Sequence, residues 1–341
     1  MSQINYEFES RPENGETAAI TDGIVWLRMP LPFSLKHINL WLLRDDRGWV
    51  IVDTGVDTRT SRAVWQKTFH GAMQNDPASH VVATHLHPDH VGCAGWLAQH
   101  FDVDLWMTRD EYMLCRILVA DTGRSAPEEG IRFYSAAGFT AEQVAAYKSQ
   151  FGMFGKFVHA LPEAYKRMSD GDMLEFAGTH WEVIVGSGHS PEHACLYDAE
   201  RNILIAGDQL LPTISSNVSV WPTEPLANPL QDWFESLEKL ARRLPEDVLV
   251  LPAHGKPFRG AHFRLRELAS DHEDRLATLL ETCKQPKRVV DLFDSLYRTE
   301  INDSNRIMAT GEAIAHLNYL CATGDLKTET DADDVSWYCR P

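Results

Sequence analysis

The sequence predicts an α/β protein in which two packed β-sheets carry helices on their outer faces. Two groups of short apolar stretches, within residues 23–52 and 173–206, have the length and composition of strands. Each group is followed by mixed helical and strand-like segments, and this order favours two sheets covered by helices. At 341 residues, with 44% hydrophobic and 24% charged side chains, the chain has ordinary globular composition and can bury a large core.

The amino-terminal half begins with strands that lead into a histidine-rich turn. The predicted elements are strands at 23–29, 37–44 and 49–52, a helix at 57–69, a strand at 81–84 and a helix at about 90–99. The Asp-Asp-Arg-Gly sequence at 45–48 suits a hairpin turn. Between residues 107 and 167 the segments become helix-like and rich in aromatic side chains, which predicts a helical insertion.

The carboxyl-terminal half returns to strands and then becomes almost wholly helical. Strands are predicted at 173–176, 181–185, 194–197, 203–206 and 248–251, with a helix at 231–244. Three further helices are predicted to end near residues 280, 297 and 320, followed by a small hairpin from 326–328 and 336–338. We therefore predict two domains, residues 1–260 and a small, helical, winged-helix-like domain at 261–341.

Four side chains that can bind a metal ion lie within six positions at the end of a predicted strand: His85, His87, Asp89 and His90. His85 and His87 are two apart, so on an extended backbone they project from the same side. The turn around Pro88 brings the next two toward them. Burial of so many titratable groups without a cation would be costly. The cluster therefore predicts a metal site, with ligands that suit zinc best and also accept iron or manganese.

Two metal ions need more ligands than this motif contains, and three later positions can supply them. His189, Asp208 and His254 each follow a buried apolar run and lie beside glycine. Glycine permits a tight turn that aims the next side chain inward. The repeated arrangement predicts that these three residues complete the site.

These motifs resemble those of the metallo-β-lactamase superfamily, and in particular its glyoxalase II-like branch, over residues 50–255. The resemblance implies a four-layer αββα sandwich and a dinuclear centre. In that scheme His85, His87 and His189 bind the first metal, Asp89, His90 and His254 bind the second, and Asp208 bridges them. Asp53 matches a family motif in which an acid orients ligands, with helix capping as the alternative. His193 either lines the site or simply begins a strand.

The resemblance also implies a reaction, in which a hydroxide bridging the two metals attacks a thioester or ester carbonyl. Asp89 and Asp208 are the predicted catalytic residues, as ligands first, and Asp89 is also a candidate to orient the water or move a proton. Lactone hydrolysis is a close alternative. Cleavage of RNA or another phosphodiester is a second, because the tail looks like that of lactamase-like endoribonucleases, and metal binding without catalysis is a third.

Composition narrows the partners and the location. The net charge of −17 opposes binding to nucleic acid or an anionic membrane, and residues 262–341 hold 10 basic against 15 acidic side chains. We expect a small-molecule substrate; the aromatic insertion either forms a roof over the site that favours an acyl group or only packs its own helices together. No basic pattern after His254 matches a glutathione site. A cytoplasmic location is expected because no signal sequence is evident. The tail is expected to pack on the catalytic domain, to close the cleft or to form a homodimer contact.

Overall fold

The computed structural model describes residues 3–341, which form two seven-stranded sheets with helices on both outer faces. The first sheet has the order β2-β3-β4-β5-β6-β7-β8 and the second the order β1-β14-β13-β12-β11-β10-β9. The strands are β1 (Asn5–Tyr6), β2 (Thr17–Thr21), β3 (Ile24–Pro30), β4 (His37–Asp45), β5 (Gly48–Val52), β6 (Ala78–Val82), β7 (Leu105–Thr108), β8 (Lys166–Met168), β9 (Met173–Phe176), β10 (Thr179–Gly186), β11 (His193–Asp198), β12 (Ile203–Gly207), β13 (Leu249–Pro252) and β14 (Phe258–Arg259).

The two sheets pack face to face through a buried aromatic and aliphatic layer. Trp26, Trp41 and Val52 of the first sheet belong to one cluster with Trp181 and Leu196 of the second. All five side chains are almost fully buried. Burial of large apolar side chains stabilises the pairing of the sheets by about 1.5–3 kcal/mol each. This layer fixes the strand ends of one sheet relative to those of the other.

Helices cover the outer face of each sheet, so the predicted four-layer α/β/β/α fold is confirmed. The helices are α1 (Arg59–His70), α2 (Pro88–Val91), α3 (Ala94–Phe101), α4 (Arg109–Ala120), α5 (Glu128–Ala136), α6 (Ala141–Gln150), α7 (Pro229–Arg243), α8 (Ala261–Thr282), α9 (Phe293–Leu296) and α10 (Arg306–Ala322). Trp65 of α1 packs with Leu40 against the first sheet. Trp233 of α7 packs with Val250 against the second.

Several predicted boundaries differ from the structure at edge strands and turns. The insertion at 107–167 contains helices α4 to α6, but its two ends belong to strands β7 and β8, which pair with each other in parallel. β1 and β2 were not predicted, since their side chains are mostly exposed and have little apolar pattern. The helix predicted at 90–99 is two helices, α2 and α3, and the one predicted at 287–297 is a short 3-10 turn followed by α9.

The carboxyl-terminal segment packs on the second sheet's helical layer. Leu265 of α8 and Leu317 of α10 share a buried cluster with Trp233 of α7. The predicted hairpin is present as β15 (Lys327–Thr330) and β16 (Ser336–Cys339). The tail thus packs on the helix that covers the second sheet, while the boundary at residue 260 and the winged-helix character stay predictions. Within residues 3–341 we find no helix long and apolar enough to cross a bilayer.

Candidate metal centre

The predicted ligands lie on loops that leave four strands of the two sheets. The His85–His90 turn follows β6, His189 follows β10, Asp208 follows β12 and His254 follows β13. The structure brings all seven predicted ligands together in two groups. Within each group, the donor atoms all lie within 4.8 Å of one another. The first group is His85, His87, His189 and Asp208, and the second is Asp89, His90 and His254.

The first group presents three imidazole nitrogens toward one point. His85 Nε2 lies 2.8 Å from His87 Nδ1. His189 donates from Nδ1 to the carbonyl oxygen of Asn217 at 2.7 Å, which leaves its Nε2 3.5 Å from Asp208 Oδ2. A hydrogen bond at one ring nitrogen fixes the tautomer and directs the other nitrogen toward a metal.

The second group has the same organisation. His254 donates from Nδ1 to the carbonyl oxygen of His37 at 2.9 Å, and its Nε2 lies 3.3 Å from Asp89 Oδ2. His90 Nε2 lies 3.8 Å from the same Asp89 oxygen. Both imidazoles therefore direct Nε2 toward the carboxylate, as two ligands of one ion would.

Asp208 lies between the two groups. Its Oδ2 is 3.4 Å from His90 Nε2 as well as 3.5 Å from His189 Nε2, and its Oδ1 is 3.6 Å from His254 Nε2. One carboxylate thus faces histidines of both groups. This is the position that the expected bridging role requires.

The donor atoms fit divalent metal ions in number, type and burial. His90 Nε2, His189 Nε2 and Asp208 Oδ1 are buried without a hydrogen-bond partner, and such groups are costly unless something binds them. Burial, with the neighbouring His189, lowers the pKa of His87 to about 3, so its imidazole is neutral and able to bind a cation. Burial alone would lower the pKa of His90, but the carboxylates of Asp53 and Asp208 raise it well above its usual value. The carboxylates therefore favour positive charge around His90, and bound cations would supply it.

Asp53 lies directly behind the second group, as the resemblance implied. Its Oδ2 accepts the His90 Nδ1 hydrogen at 2.8 Å, and its Oδ1 accepts the backbone N–H of Thr84 at 2.8 Å. The alternative of a helix cap is wrong, because Thr58 caps α1. Asp53 has φ +59°, a backbone conformation that Asp and Asn adopt more readily than other non-glycine residues.

Replacing Asp53 with Asn should weaken metal binding about 10- to 100-fold, because the His90 tautomer loses its anionic partner. Asn tolerates the same backbone conformation, so the fold should survive. Metal affinity measured by competition with a chromogenic chelator checks this. Asp57→Asn is the matched control, since Asp57 pairs with Arg62 outside the cluster. Equal affinities in the two variants would contradict the orienting role.

His193 is placed behind Asp208. The ring is buried, its Nε2 accepts the backbone N–H of Asp208 at 3.0 Å, and its centroid lies 4.6 Å from that of His85. His193 is also the first residue of β11. Both alternatives from the sequence thus describe part of its role: it begins a strand and supports two ligands from behind.

Glu111 was missed by the sequence analysis. It is fully buried on α4, where Oε2 accepts the N–H of Leu86 and Oε1 accepts the N–H of Glu192, each at 2.9 Å. Leu86 lies between two ligands, and Glu192 lies three residues after His189. Burial raises the pKa of Glu111 to about 7. One carboxylate thus connects the loop of His85 and His87 with the loop of His189. The only signal in the sequence was an acid at a helical position where a buried apolar side chain would be expected.

Glu111→Gln should lower the free energy of unfolding by about 1–3 kcal/mol, because an amide NH₂ would face one of the two backbone donors and leave it unpaired. Denaturant unfolding of the metal-loaded protein measures the loss. Asp110→Asn, at the exposed neighbouring position, should leave stability within about 0.5 kcal/mol of the parent. A Glu111→Gln protein as stable as that control would show that the carboxylate does not hold the loops.

Comparison with known proteins agrees with the fold. The family model described as the metallo-β-lactamase superfamily matches residues 35–254. A second model, described as the metallo-β-lactamase-like C-terminal domain, matches residues 276–341. The chain belongs to the metallo-β-lactamase superfamily and is a metallo-hydrolase of that superfamily, as the resemblance predicted.

Three similar proteins show which members of the superfamily the chain resembles. A β-lactamase domain protein from Burkholderia ambifaria, solved as a crystal structure, is 38% identical, with a TM-score of 0.91 and coverage of 99% of this chain and 98% of that one. The acyl-coenzyme A thioesterase MBLAC2 of Homo sapiens is 26% identical over 74% of this chain and 85% of its own length. The hydroxyacylglutathione hydrolase GloC of Haemophilus influenzae is 23% identical over 51% and 68%.

Proposed function

We propose that the chain is a dinuclear zinc hydrolase that cleaves thioesters, with ester and lactone cleavage as related activities. The observation that carries the proposal is the position of Asp208, whose Oδ2 faces His189 of the first donor group and His90 of the second. A shared carboxylate holds two ions at a separation suited to joint action on one water and one carbonyl. Imidazole and carboxylate donors favour zinc.

Two bound divalent ions supply a water made acidic enough to react near neutral pH and an electrostatic clamp for the carbonyl oxygen. The protein's part is to hold that arrangement rigid. Asp89 directs Oδ2 toward His254 and His90, which leaves Oδ1 to orient the attacking water or to take its proton. The Asp89 side chain keeps 17% of its surface exposed, so a substrate can approach it.

The preference for a thioester rests on the relatives and on the apolar surroundings. MBLAC2 is named an acyl-coenzyme A thioesterase and GloC a hydroxyacylglutathione hydrolase. Part of the predicted aromatic roof serves packing instead: Tyr134 packs against Phe139 and Tyr147 inside the insertion, with tilted rings. The ring centroid of Phe157, however, lies 5.4 Å from that of Phe33. Phe33 belongs to the β3–β4 loop that leads into His37, the residue that orients His254.

A matched pair of substrates tests the proposal. The zinc-loaded enzyme should hydrolyse a medium-chain acyl-coenzyme A faster than the oxygen ester with the same acyl group, and kcat/KM should rise with acyl length if the apolar surface binds the chain. The Asp57→Asn protein serves as an active control. Absence of thioester turnover, together with cleavage of structured RNA, would overturn the proposal and favour the nuclease alternative.

A further inference from the structure

The loop between β12 and α7 carries contacts to the first donor group. We define the clamp loop as residues 209–220. Within it, the carbonyl oxygen of Asn217 accepts the Nδ1 hydrogen of His189 at 2.7 Å. The Ser216 hydroxyl donates to the carbonyl oxygen of Asp208. The position of this loop therefore sets the orientation of one ligand imidazole and the backbone of the carboxylate that faces both groups.

The first part of the clamp loop is held by α8 of the carboxyl-terminal segment. Arg264 is 7% exposed, and its guanidinium donates to the carbonyl oxygens of Leu211 at 2.8 Å and Ile214 at 3.0 Å. A buried guanidinium keeps its charge and needs acceptors in a fixed geometry. These two hydrogen bonds therefore fix the backbone just after Asp208.

The second part of the clamp loop is held by α10. The backbone N–H of Val220 donates to the carbonyl oxygen of Gly311 at 3.0 Å. The Asn217 side-chain amide donates to Glu312 Oε2 at 3.4 Å, and Glu312 is held in turn by an ion pair with Arg275 of α8.

Gly311 marks how closely α10 approaches the loop. A Cβ atom at that position would lie 2.8 Å from the carbonyl oxygen of Val220 and 2.9 Å from Ser219 Cβ. Both distances are shorter than side chains tolerate, so any larger residue must push the loop away from the helix.

We propose that the carboxyl-terminal helices position the first donor group: Gly311 and Glu312 of α10 act through the clamp loop on His189, while Arg264 of α8 holds the part of the loop that follows Asp208. The second group is oriented by other parts of the chain: Asp53 holds His90, and the His37 carbonyl holds His254. Disturbing the contact between α10 and the loop should therefore weaken one metal position and spare the other. The inference rests on the proposed ligand roles and does not depend on which substrate is cleaved.

Two variants test the inference by different routes. Gly311→Ala separates helix and loop without removing a polar group, and alanine favours the helix itself. Glu312→Ala removes the acceptor for Asn217, whereas Glu312→Gln keeps an acceptor at that position. Asn318→Ala is the matched control, because Asn318 also joins α10 to the chain before α7, but through the carbonyl oxygens of Pro225 and Ala227, away from His189.

The measurement is titration of the metal-free full chain with Co²⁺, followed by the absorption of the bound ion and by calorimetry, with zinc competition to give both affinities. In Gly311→Ala and Glu312→Ala we expect one of the two sites to weaken by about 10- to 100-fold while the other stays within about twofold. Glu312→Gln should recover most of the loss, and Asn318→Ala should resemble the parent.

Parent-like binding at both sites in Gly311→Ala and Glu312→Ala would overturn the inference and leave the tail with a purely stabilising role. Equal weakening of both sites would overturn it as well, because it would show a general loss of folding. If the proposed thioester activity is not found, these binding measurements still test the inference, because they require no turnover.

Discussion

Replacing Asp208 with Ala should lower thioester turnover by roughly 1000-fold or more, which corresponds to about 4 kcal/mol of transition-state stabilisation. The carboxylate lies within 3.6 Å of the Nε2 atoms of histidines from both donor groups. Without it, the two ions would share no protein ligand, and each would keep only three donors or fewer. The same variant should therefore lose bound metal together with activity.

Metal analysis and initial rates on the same preparation check this expectation. Asp232→Ala is the control, because it removes an exposed carboxylate on α7 that belongs to neither donor group. An Asp208→Ala protein with full activity and unchanged metal content would contradict the bridging assignment. Activity that falls while both metals stay bound would restrict Asp208 to a role in the reaction itself.

Removing the metal should abolish activity and also destabilise the fold. A ligand that binds only the native state stabilises it by about 4 kcal/mol when its free concentration is 1000 times the dissociation constant. Buried donor atoms such as His189 Nε2 and Asp208 Oδ1 lose their partner when the metal leaves. We expect chelation to lower the melting temperature by several degrees and to reduce turnover to the background rate.

Reconstitution separates metal loss from damage to the protein. Added Zn²⁺ should restore both melting temperature and rate, whereas Mg²⁺ should restore neither, because it prefers oxygen donors and five of the seven donors here are histidines. A chelated protein that keeps its rate would show that the metals take no part in catalysis.

The central strands and the convergence of the seven candidate ligands could be predicted because their signals are local. Strands such as β5 and β12 are buried along their whole length, so their apolar runs are evident in the sequence. Each candidate ligand follows a mostly buried strand, and the turn that contains His85 and His90 places four donors within six positions. Strand ends of packed sheets converge, which explains why residues as distant as His90 and His254 meet.

The remaining features depend on contacts that leave no mark on the sequence. Asn217 orients His189 through its backbone carbonyl, and every residue has one. Glu111 is one of two adjacent acids in the first turn of α4, and its importance follows only from the hydrogen bonds that it accepts from two backbone N–H groups. β8 is a three-residue edge strand with two exposed side chains, too short for a periodic pattern to predict.

The most direct test is the metal content of the purified full-length protein, measured by plasma mass spectrometry against protein concentration and by native mass spectrometry of the same sample. The structure predicts two transition-metal ions per chain, and one in a protein from which the second donor group has been removed by His90→Ala and His254→Ala. A chain that binds no transition metal, with added zinc in excess, would contradict the assignment of the whole centre.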